Sequence, residues 1–343
     1  MAQTSILLKN GTVLFHEKGD HVSPLKNTDV LIEGNIIRKI SASIPATGPG
    51  TRTIDCTGKI VSPGFIDTHH HIWQTQLKGR FSDDTLLDYI PKGNLQSISY
   101  TPEDIFWGQL GGCLEAIDAG TTFVVDHAHM TYSPDHASEA LSATAASGLR
   151  SFFCYNFTPR FKSWTTEIVP DKDLIPDWFM KQLGELAAKQ PFGDGRVYLG
   201  WAFDLLFLPK EMVVPLYEQV RKLGIKLITT HVAKNAVFGM VYFLRSCKIL
   251  LTQMKGQASF PNILESYGLL GPDILFSHGN GLDAEEAKLL KKHDIFISST
   301  PDTESQMAVG EIGCFRDDMQ ASLGIDCKQI SKPATRSVES TNC

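Results

Sequence analysis

Two histidines, His69 and His71, lie two positions apart at the end of an apolar run that includes Phe65 and Ile66. On a β-strand, residues two apart point to the same side, so both imidazoles would project together from the strand end. His70 is expected to point the other way. Because a divalent metal ion needs converging imidazole nitrogens, the spacing predicts a metal-binding pair.

Three more apolar runs along the chain end in a residue that can bind a metal or move a proton, namely His231, His278 and Asp326. In a barrel of alternating strands and helices, catalytic residues come from the C-terminal ends of several different strands. The alternative is that these are unrelated polar residues at the starts of loops. The recurrence of the pattern at four strand ends disfavours that alternative. We predict that His69, His71, His231 and Asp326 form one metal site, a ligand set that suits Zn²⁺ or Fe²⁺ with a position left for water.

The elements that must position these residues alternate along the chain from about residue 62. Helical stretches such as Pro102 to Ala119, with Thr101 suited to its N-cap, separate eight strand-like runs. The runs are Val61 to Ile66, Thr121 to Asp126, Leu149 to Tyr155, Val197 to Phe203, Lys226 to Thr230, Ile274 to Ser277, Ile295 to Ser298 and Ala321 to Ile325. This alternation predicts an α/β fold, a (β/α)8 TIM-like barrel over residues 63–326.

The remaining residues fall outside the alternating pattern. Residues 1–62 contain short β-branched runs and a turn signal at Asn10-Gly11, which predict a small β unit. The apolar segment Phe238 to Lys255 is compatible with a helix or an insertion. Residues 327–343 form a divergent polar tail, so nothing follows to cover the last strand. Because parallel strands normally have both faces covered, we expect a C-terminal truncation that weakens activity.

Composition excludes several classes of protein. The net charge is −6, which offers no basic surface for nucleic acid. No apolar run reaches membrane-spanning length, and the first residues do not resemble a secretory signal. The 7 cysteines are scattered without close pairs, as in a chain kept in a reducing compartment. We expect a cytoplasmic protein that acts on a small molecule. The sequence is compatible with a homo-oligomer as well as with a monomer.

The motifs together resemble those of the amidohydrolase superfamily, in particular the branch of cytosine deaminase, adenosylhomocysteine-type deaminases and triazine chlorohydrolases. The resemblance covers about residue 5 to Asp326. It is carried by Pro63-Gly64-Phe65-Ile66-Asp67-Thr68-His69-His70-His71, Thr230-His231, Ser277-His278, Ser299-Thr300-Pro301 and Ser322-Leu323-Gly324-Ile325-Asp326. It implies a partial β-sandwich over residues 1–62 and a barrel that hydrolyses a carbon–nitrogen or related bond of a small, cyclic substrate with metal-activated water.

The resemblance also implies how the site residues divide the work. Asp326 would bind the metal and accept a proton from water, and His278 would orient the water or polarise the substrate. Other branches hold two metals with a lysine at the end of the fourth strand, where this chain has no lysine. We therefore expect one divalent metal ion, with Zn²⁺ as the first expectation and Fe²⁺ as the alternative.

Further polar residues after the strand ends are candidates for the substrate pocket. These are Gln74, His127, His129 and Glu304, and ordinary polar positions in a loop or pocket wall are the alternative. The deaminase pattern places a glutamate three residues after the fifth-strand histidine, whereas this chain has Lys234. Ring deamination is thereby disfavoured relative to hydrolysis with Asp326 as sole base. A catalytically impaired barrel and a metal-dependent lyase or decarboxylase are the alternative functions.

Overall fold

The computed structural model describes residues 5–18, 21–46, 48, 50–164, 168–234 and 259–327. The apolar segment Phe238 to Lys255 and residues 328–343 of the polar tail lie outside these ranges. The described residues form two compact units that divide between Gly64 and Phe65.

The first unit is a five-stranded sheet. Its strands are β1 (Ser5–His16), β2 (Val22–Glu33), β3 (Ile36–Ser41), β4 (Thr51–Asp55) and β5 (Ile60–Val61). They lie in the order β3-β2-β1-β4, with β5 also pairing with β1, and Leu7, Leu31 and Ile44 form a small core. The Asn10-Gly11 signal does not end a strand. Instead β1 continues through a register shift, with Asn10 in the left-handed region at φ 61°.

The second unit contains the predicted eight-stranded parallel barrel. Its strands are β6 (Phe65–His70), β7 (Thr121–Ala128), β8 (Arg150–Asn156), β11 (Val197–Ala202), β12 (Ile228–Ala233), β13 (Ile274–Asn280), β14 (Phe296–Ser299) and β15 (Ala321–Leu323), with a short hairpin of β9 (Phe161–Trp164) and β10 (Ile168–Pro170) between β8 and β11. Neighbours in the barrel follow chain order. The TIM-like fold is therefore confirmed, although the prediction that the first barrel strand begins at Val61 is wrong, because Val61 pairs with β1.

The barrel closes where its first and last strands meet. The Asp326 N–H donates to His69 O at 2.8 Å, and the His71 N–H donates to Asp326 O at 2.7 Å. A Cβ added at Gly324 would lie 2.7 Å from His69 O, so the strands approach this closely because residue 324 has no side chain. This seam brings Asp326 to His69 of β6 and to His71, which directly follows that strand.

Helices cover the barrel strands. They are α1 (Leu86–Lys92), α2 (Pro102–Asp118), α3 (Pro134–Ser147), α4 (Asp177–Ala187), α5 (Lys210–Lys222), α6 (Phe260–Ser266), α7 (Ala284–Lys292) and α8 (Pro301–Gln306), with 3₁₀ turns at Ile72–Leu77, Asn94–Ser99 and Gly313–Phe315. As predicted, Thr101 caps α2, in a capping box with Asp104. Among the described helices, none is both long and apolar enough to cross a membrane.

The packing of α5 shows how a helix is held against the barrel. Val213, Tyr217 and Val220 recur at helical spacing and are buried on one face. The Tyr217 ring meets Trp201 of β11 edge-on, with centroids 5.1 Å apart. Burial of these side chains fixes the strands whose C-terminal ends carry the site.

Candidate metal centre and its cavity

Three of the four predicted metal ligands are linked by short contacts at the strand ends. Asp326 Oδ1 lies 3.3 Å from His69 Nε2 and 3.2 Å from His71 Nε2. His231 Nε2 lies 3.2 Å from His71 Nε2, which adds the fourth residue. Two ligand atoms on one tetrahedral zinc, each at about 2.0–2.1 Å, would lie about 3.4 Å apart. The measured separations are therefore of the size that a shared metal ion requires.

Behind the site, His71 and His231 hydrogen-bond through their Nδ1 atoms. His71 Nδ1 donates to the His127 carbonyl at 2.8 Å, and His231 Nδ1 donates to Asp204, at 3.1 Å from each carboxylate oxygen. Within the described part of the chain, the buried His69 Nε2 has no hydrogen-bond partner. Because a carbonyl or carboxylate oxygen only accepts, the Nε2 atoms of His71 and His231 carry lone pairs. This donor set fits a divalent metal ion.

The electrostatics give the protonation states that metal binding needs. Burial holds the pKa of His69 well below its usual range and lowers that of His231 to about 3, so both imidazoles are neutral. Burial alone would raise the pKa of Asp326. Contacts with His69 and His71 outweigh it and hold the carboxyl pKa well below its ordinary value. The site therefore presents neutral imidazoles and an ionised carboxylate.

The His70 side chain takes no part in this cluster. Its Nδ1 lies 2.7 Å from Asp67 Oδ2. The same aspartate accepts the Ile325 N–H at 3.0 Å through its other oxygen, beside the barrel seam. The structure thus separates His70 from His69 and His71, as the alternation of side chains along a strand requires.

A second group of three histidines also lies within metal-binding range. It consists of His69, His127 and His231. However, His127 Nε2 is already engaged, at 3.0 Å from Asp204 Oδ2 and 3.2 Å from Asn156 Nδ2. We favour the group that contains Asp326, because its carboxylate contacts two imidazole nitrogens that hydrogen bonds elsewhere leave available.

The backbone is unusual at His278 and Asp326, the two predicted catalytic residues. Their φ angles are 74° and 66°, in the left-handed region that residues other than glycine seldom adopt. His278 Nδ1 hydrogen-bonds Thr300 Oγ1 at 3.0 Å and lies 3.5 Å from Glu304 Oε1. Burial lowers the pKa of His278, but the bond to Glu304 and the charge of Asp326 outweigh it, so the pKa lies above the usual imidazole value.

A cavity opens over the cluster of His69, His71, His231 and Asp326 at the C-terminal ends of the strands. Polar and apolar side chains share its wall: His71, Gln74, Leu86, Tyr89, Ile90, Asn94, Leu95, His129, Tyr132, Asn156, Thr158, Pro159, Asp204, His231, His278, Met307, Asp326 and Cys327. Gln74 and His129, two of the predicted substrate residues, lie in this wall. His129 stacks on His71 with ring centroids 3.9 Å apart.

The other two predicted substrate residues lie elsewhere. His127 is fully buried behind His71 and His231, and does not line the cavity. Glu304 is also fully buried and accepts hydrogen bonds from the Thr300 N–H at 2.6 Å and from Asn280 Nδ2 at 3.2 Å. Glu304 therefore supports His278 from behind, a placement that differs from the expected substrate contact.

Lys234, which stands where the deaminase pattern has a glutamate, points away from the cavity wall. Its Nζ lies 2.8 Å from Asp283 Oδ2 and 3.1 Å from Glu286 Oε2. The hydrogen bond to Asp283 raises the pKa of Lys234, with Glu286 adding to the effect. The ammonium is thus charged and engaged.

Two residues of the site, Asp204 and Asn156, were not predicted from the sequence. Both lie in the cavity wall, and Asn156 Nδ2 is 3.4 Å from Asp204 Oδ2. Asp204 follows the fourth barrel strand as directly as Asp326 follows the eighth. A carboxylate at this strand end was therefore the signal available in the sequence.

Comparisons with known proteins agree with this geometry. The model of the amidohydrolase family matches residues 60–176. A 5-methylthioadenosine/S-adenosylhomocysteine deaminase from Thermococcus kodakarensis is 29% identical over 311 residues, covering 89% of this chain and 65% of that protein. The chain thus spans slightly less than two thirds of the length of this relative.

Solved structures share the fold at lower identity. The zinc complex of atrazine chlorohydrolase from Arthrobacter aurescens TC1 superimposes with a TM-score of 0.77 and 17% identity, covering 94% of this chain and 72% of that one. Guanine deaminase from C. acetobutylicum with bound guanine superimposes with a TM-score of 0.73 and 19% sequence identity, covering 95% of this chain and 75% of that one. The predicted resemblance of this chain to the amidohydrolase superfamily is therefore confirmed, in the barrel that carries the histidine and aspartate cluster.

Proposed function

We propose that the chain is a metal-dependent hydrolase that cleaves the bond between a ring carbon and an exocyclic nitrogen of a small cyclic substrate. The observation that carries this proposal is the convergence of three imidazole nitrogens and the Asp326 carboxylate beneath an open cavity. The deaminase name of the relative from Thermococcus kodakarensis supports this bond class. We give this similarity more weight than Lys234, which disfavours deamination, because Asp326 can carry the proton in both directions.

His69, His71, His231 and Asp326 would hold one divalent ion, and Zn²⁺ is the proposed metal. The zinc complex of the structurally similar chlorohydrolase supports this choice, as does the mixed nitrogen and oxygen ligand set. The fourth strand reads Val197–Ala202 and brings no lysine to bridge a second ion. When bound, such an ion acts as a Lewis acid and generates a nucleophile from water near neutral pH.

The chain's own residues supply the proton transfers. Asp326 is ionised and reaches the cavity, so its carboxylate is the base that accepts a proton from the attacking water and then returns it to the departing amine. His278 also lines the cavity, where its ring is placed to hydrogen-bond the water or the substrate. Lys234 is held in ion pairs and takes no part.

The cavity wall favours a neutral ring with an apolar substituent. Leu86, Ile90, Leu95 and Met307 supply apolar surface away from the histidines. Among the described lining residues, the ionisable carboxylates are Asp204 and Asp326, and there is no lysine or arginine. The buried Gln74 Oε1, which lacks a hydrogen-bond partner in the described ranges, offers an acceptor for a ring or exocyclic N–H. Cyclic amidines such as adenine-type rings fit this description.

The test combines metal analysis with a substrate panel. Purified protein should hold about one zinc per chain and release ammonia from an uncharged adenine-type nucleoside or a related cyclic amidine. A chelator should abolish this turnover, and added zinc should restore it. Protein that folds without metal, and stays inactive after loading, would indicate an impaired barrel. Activity only on a halogenated ring would place the cleaved bond elsewhere.

A further inference from the structure

Asp204 makes a set of contacts that the proposed chemistry does not use. It follows β11, is 7% exposed, and accepts hydrogen bonds from residues of β7, β8 and β12, the contact from β8 being Asn156 Nδ2 at 3.4 Å. Oδ1 accepts from the His231 N–H at 3.0 Å and from Thr230 Oγ1 at 3.3 Å. Oδ2 accepts from His127 Nε2 at 3.0 Å. The His231 Nδ1 hydrogen lies between the two oxygens.

A carboxylate with these partners fixes which ring nitrogens carry protons. An ionised aspartate has acceptors only, so both ring nitrogens that face it must be donors. The proton of His231 is therefore confined to Nδ1, and its Nε2 lone pair faces His71.

The same carboxylate is also linked, through His127, to His71 at the end of the first barrel strand. His127 is held through Nε2 by Asp204, and its backbone carbonyl accepts the His71 Nδ1 hydrogen at 2.8 Å. That bond confines the proton of His71 to Nδ1 and leaves its Nε2 as a lone pair. One residue on the fourth strand is thus connected to ligand histidines of the first and fifth strands.

We infer that Asp204 is a positioning residue for the metal centre, which sets the orientation and tautomer of His231 directly and, by holding His127, the position of the backbone carbonyl that orients His71. This role accounts for the second His-x-His pair at the end of β7. His127, inside the strand, serves as the link, and of the two histidines it is His129, just after the strand, that lines the cavity. The inference rests on the proposed metal site, and its test does not depend on turnover.

The decisive variant is Asp204→Asn, which keeps the shape and replaces one acceptor oxygen by a donor. The amide cannot accept from both His127 and His231, so one ring must turn or change tautomer. We expect the Kd for Zn²⁺, measured by competition with a chelator, to rise about 10- to 100-fold. The visible spectrum of the Co²⁺-loaded protein should change as well. Thr230→Val removes only the peripheral hydrogen bond and should retain both the Kd and the spectrum.

A merely structural role would lower the melting temperature of the metal-free protein while leaving the Kd and the cobalt spectrum unchanged, and that result would overturn the inference. If Asp204→Asn does not fold, His127→Phe decides, because it cuts the link but leaves the bond between Asp204 and His231. A Kd raised several-fold supports the inference, and an unchanged Kd overturns it. Wild-type protein that binds no zinc would instead refute the proposed function.

Discussion

His71 Nε2 lies 3.2 Å from His231 Nε2, although each ring already donates its Nδ1 hydrogen to another acceptor. Two lone pairs at this distance repel each other unless a cation lies between them. Asp326 Oδ1, 3.2 Å from the same His71 nitrogen, adds a negative charge to the cluster. A bound metal ion would therefore stabilise this arrangement, and removing it from the loaded protein should lower the melting temperature.

The first prediction compares neighbouring histidines. His71→Ala should lower the bound zinc to well below one per chain, because it removes a ligand from the centre of the cluster. His70→Ala should retain zinc, since His70 Nδ1 is bonded to Asp67 instead. Zinc content by atomic emission, after dialysis against a weak chelator, measures both. Zinc lost from His70→Ala but kept by His71→Ala would contradict the ligand assignment.

The second prediction separates metal binding from turnover. His278→Ala should retain zinc with a Kd within a few-fold of wild type, while kcat falls by about 100-fold or more, as expected for loss of a general acid–base group. His293→Ala is the matched control, since this histidine is paired with Glu265. Loss of stoichiometric zinc from His278→Ala would place His278 among the ligands.

Lys234 gives the third prediction. Lys234→Met should leave kcat within about two-fold of wild type, because the ammonium is paired with Asp283 and Glu286 and lies outside the cavity wall. Stability should fall by about 1–3 kcal/mol, since Glu286 is buried and would lose its cation. Urea unfolding and steady-state kinetics provide the two measurements. A large loss of kcat would show that Lys234 moves a proton.

The sequence predicted the strand ends well, because side-chain alternation and apolar runs are local properties. His69, His71, His231 and Asp326 come together as their positions after four strands imply. The sequence did not distinguish the residues that line the cavity from those that lie behind it and hold other side chains in place. His127 lies inside the barrel because β7 continues to Ala128, two residues beyond the predicted end. Whether a residue beyond a strand end faces the cavity depends on tertiary packing that no local pattern records.

Glu304 shows that the side-chain direction of a helical residue after a strand is equally hard to predict from the sequence. It follows β14 in sequence, which suggested a pocket position, but it lies in α8, which turns it back toward Thr300 and Asn280. Asp204 shows a related limit. Its role depends on His127 and His231, which are distant in the sequence and are brought beside it only by the closed barrel.

Gly324 provides the fourth prediction. A methyl group there would meet His69 O at 2.7 Å and His69 N at 2.8 Å, so Gly324→Ala should push the last strand away from the first. Asp326 lies two residues on, and a displacement of a few tenths of an ångström should weaken zinc binding. Gly184→Ala is the control, because its new Cβ would find only Leu223 at 3.8 Å. An unchanged zinc Kd in Gly324→Ala would show that the seam tolerates the shift.

The fifth prediction concerns pH and stability. Asp126 is buried and accepts hydrogen bonds from Gln109 Nε2 at 2.6 Å and the Ile72 N–H at 3.2 Å. Burial raises the pKa of this carboxyl from 3.8 to about 6, so the folded state binds the proton more tightly than the unfolded chain. The resulting stability is complete below pH 3.8 and is lost as the pH rises through about 6.

Asp126→Asn removes this titration, because the amide is neutral at every pH and the Gln109 amide can turn over to accept from it. Relative to wild type, the variant should gain up to about 3 kcal/mol in free energy of unfolding between pH 4 and pH 7. Thr131→Val, a buried polar substitution without a titrating group, should show no such pH-dependent difference from wild type. Parallel urea unfolding curves of the three proteins across this range measure the effect, and a pH-independent difference between Asp126→Asn and wild type would mean that Asp126 titrates at an ordinary value in the folded protein.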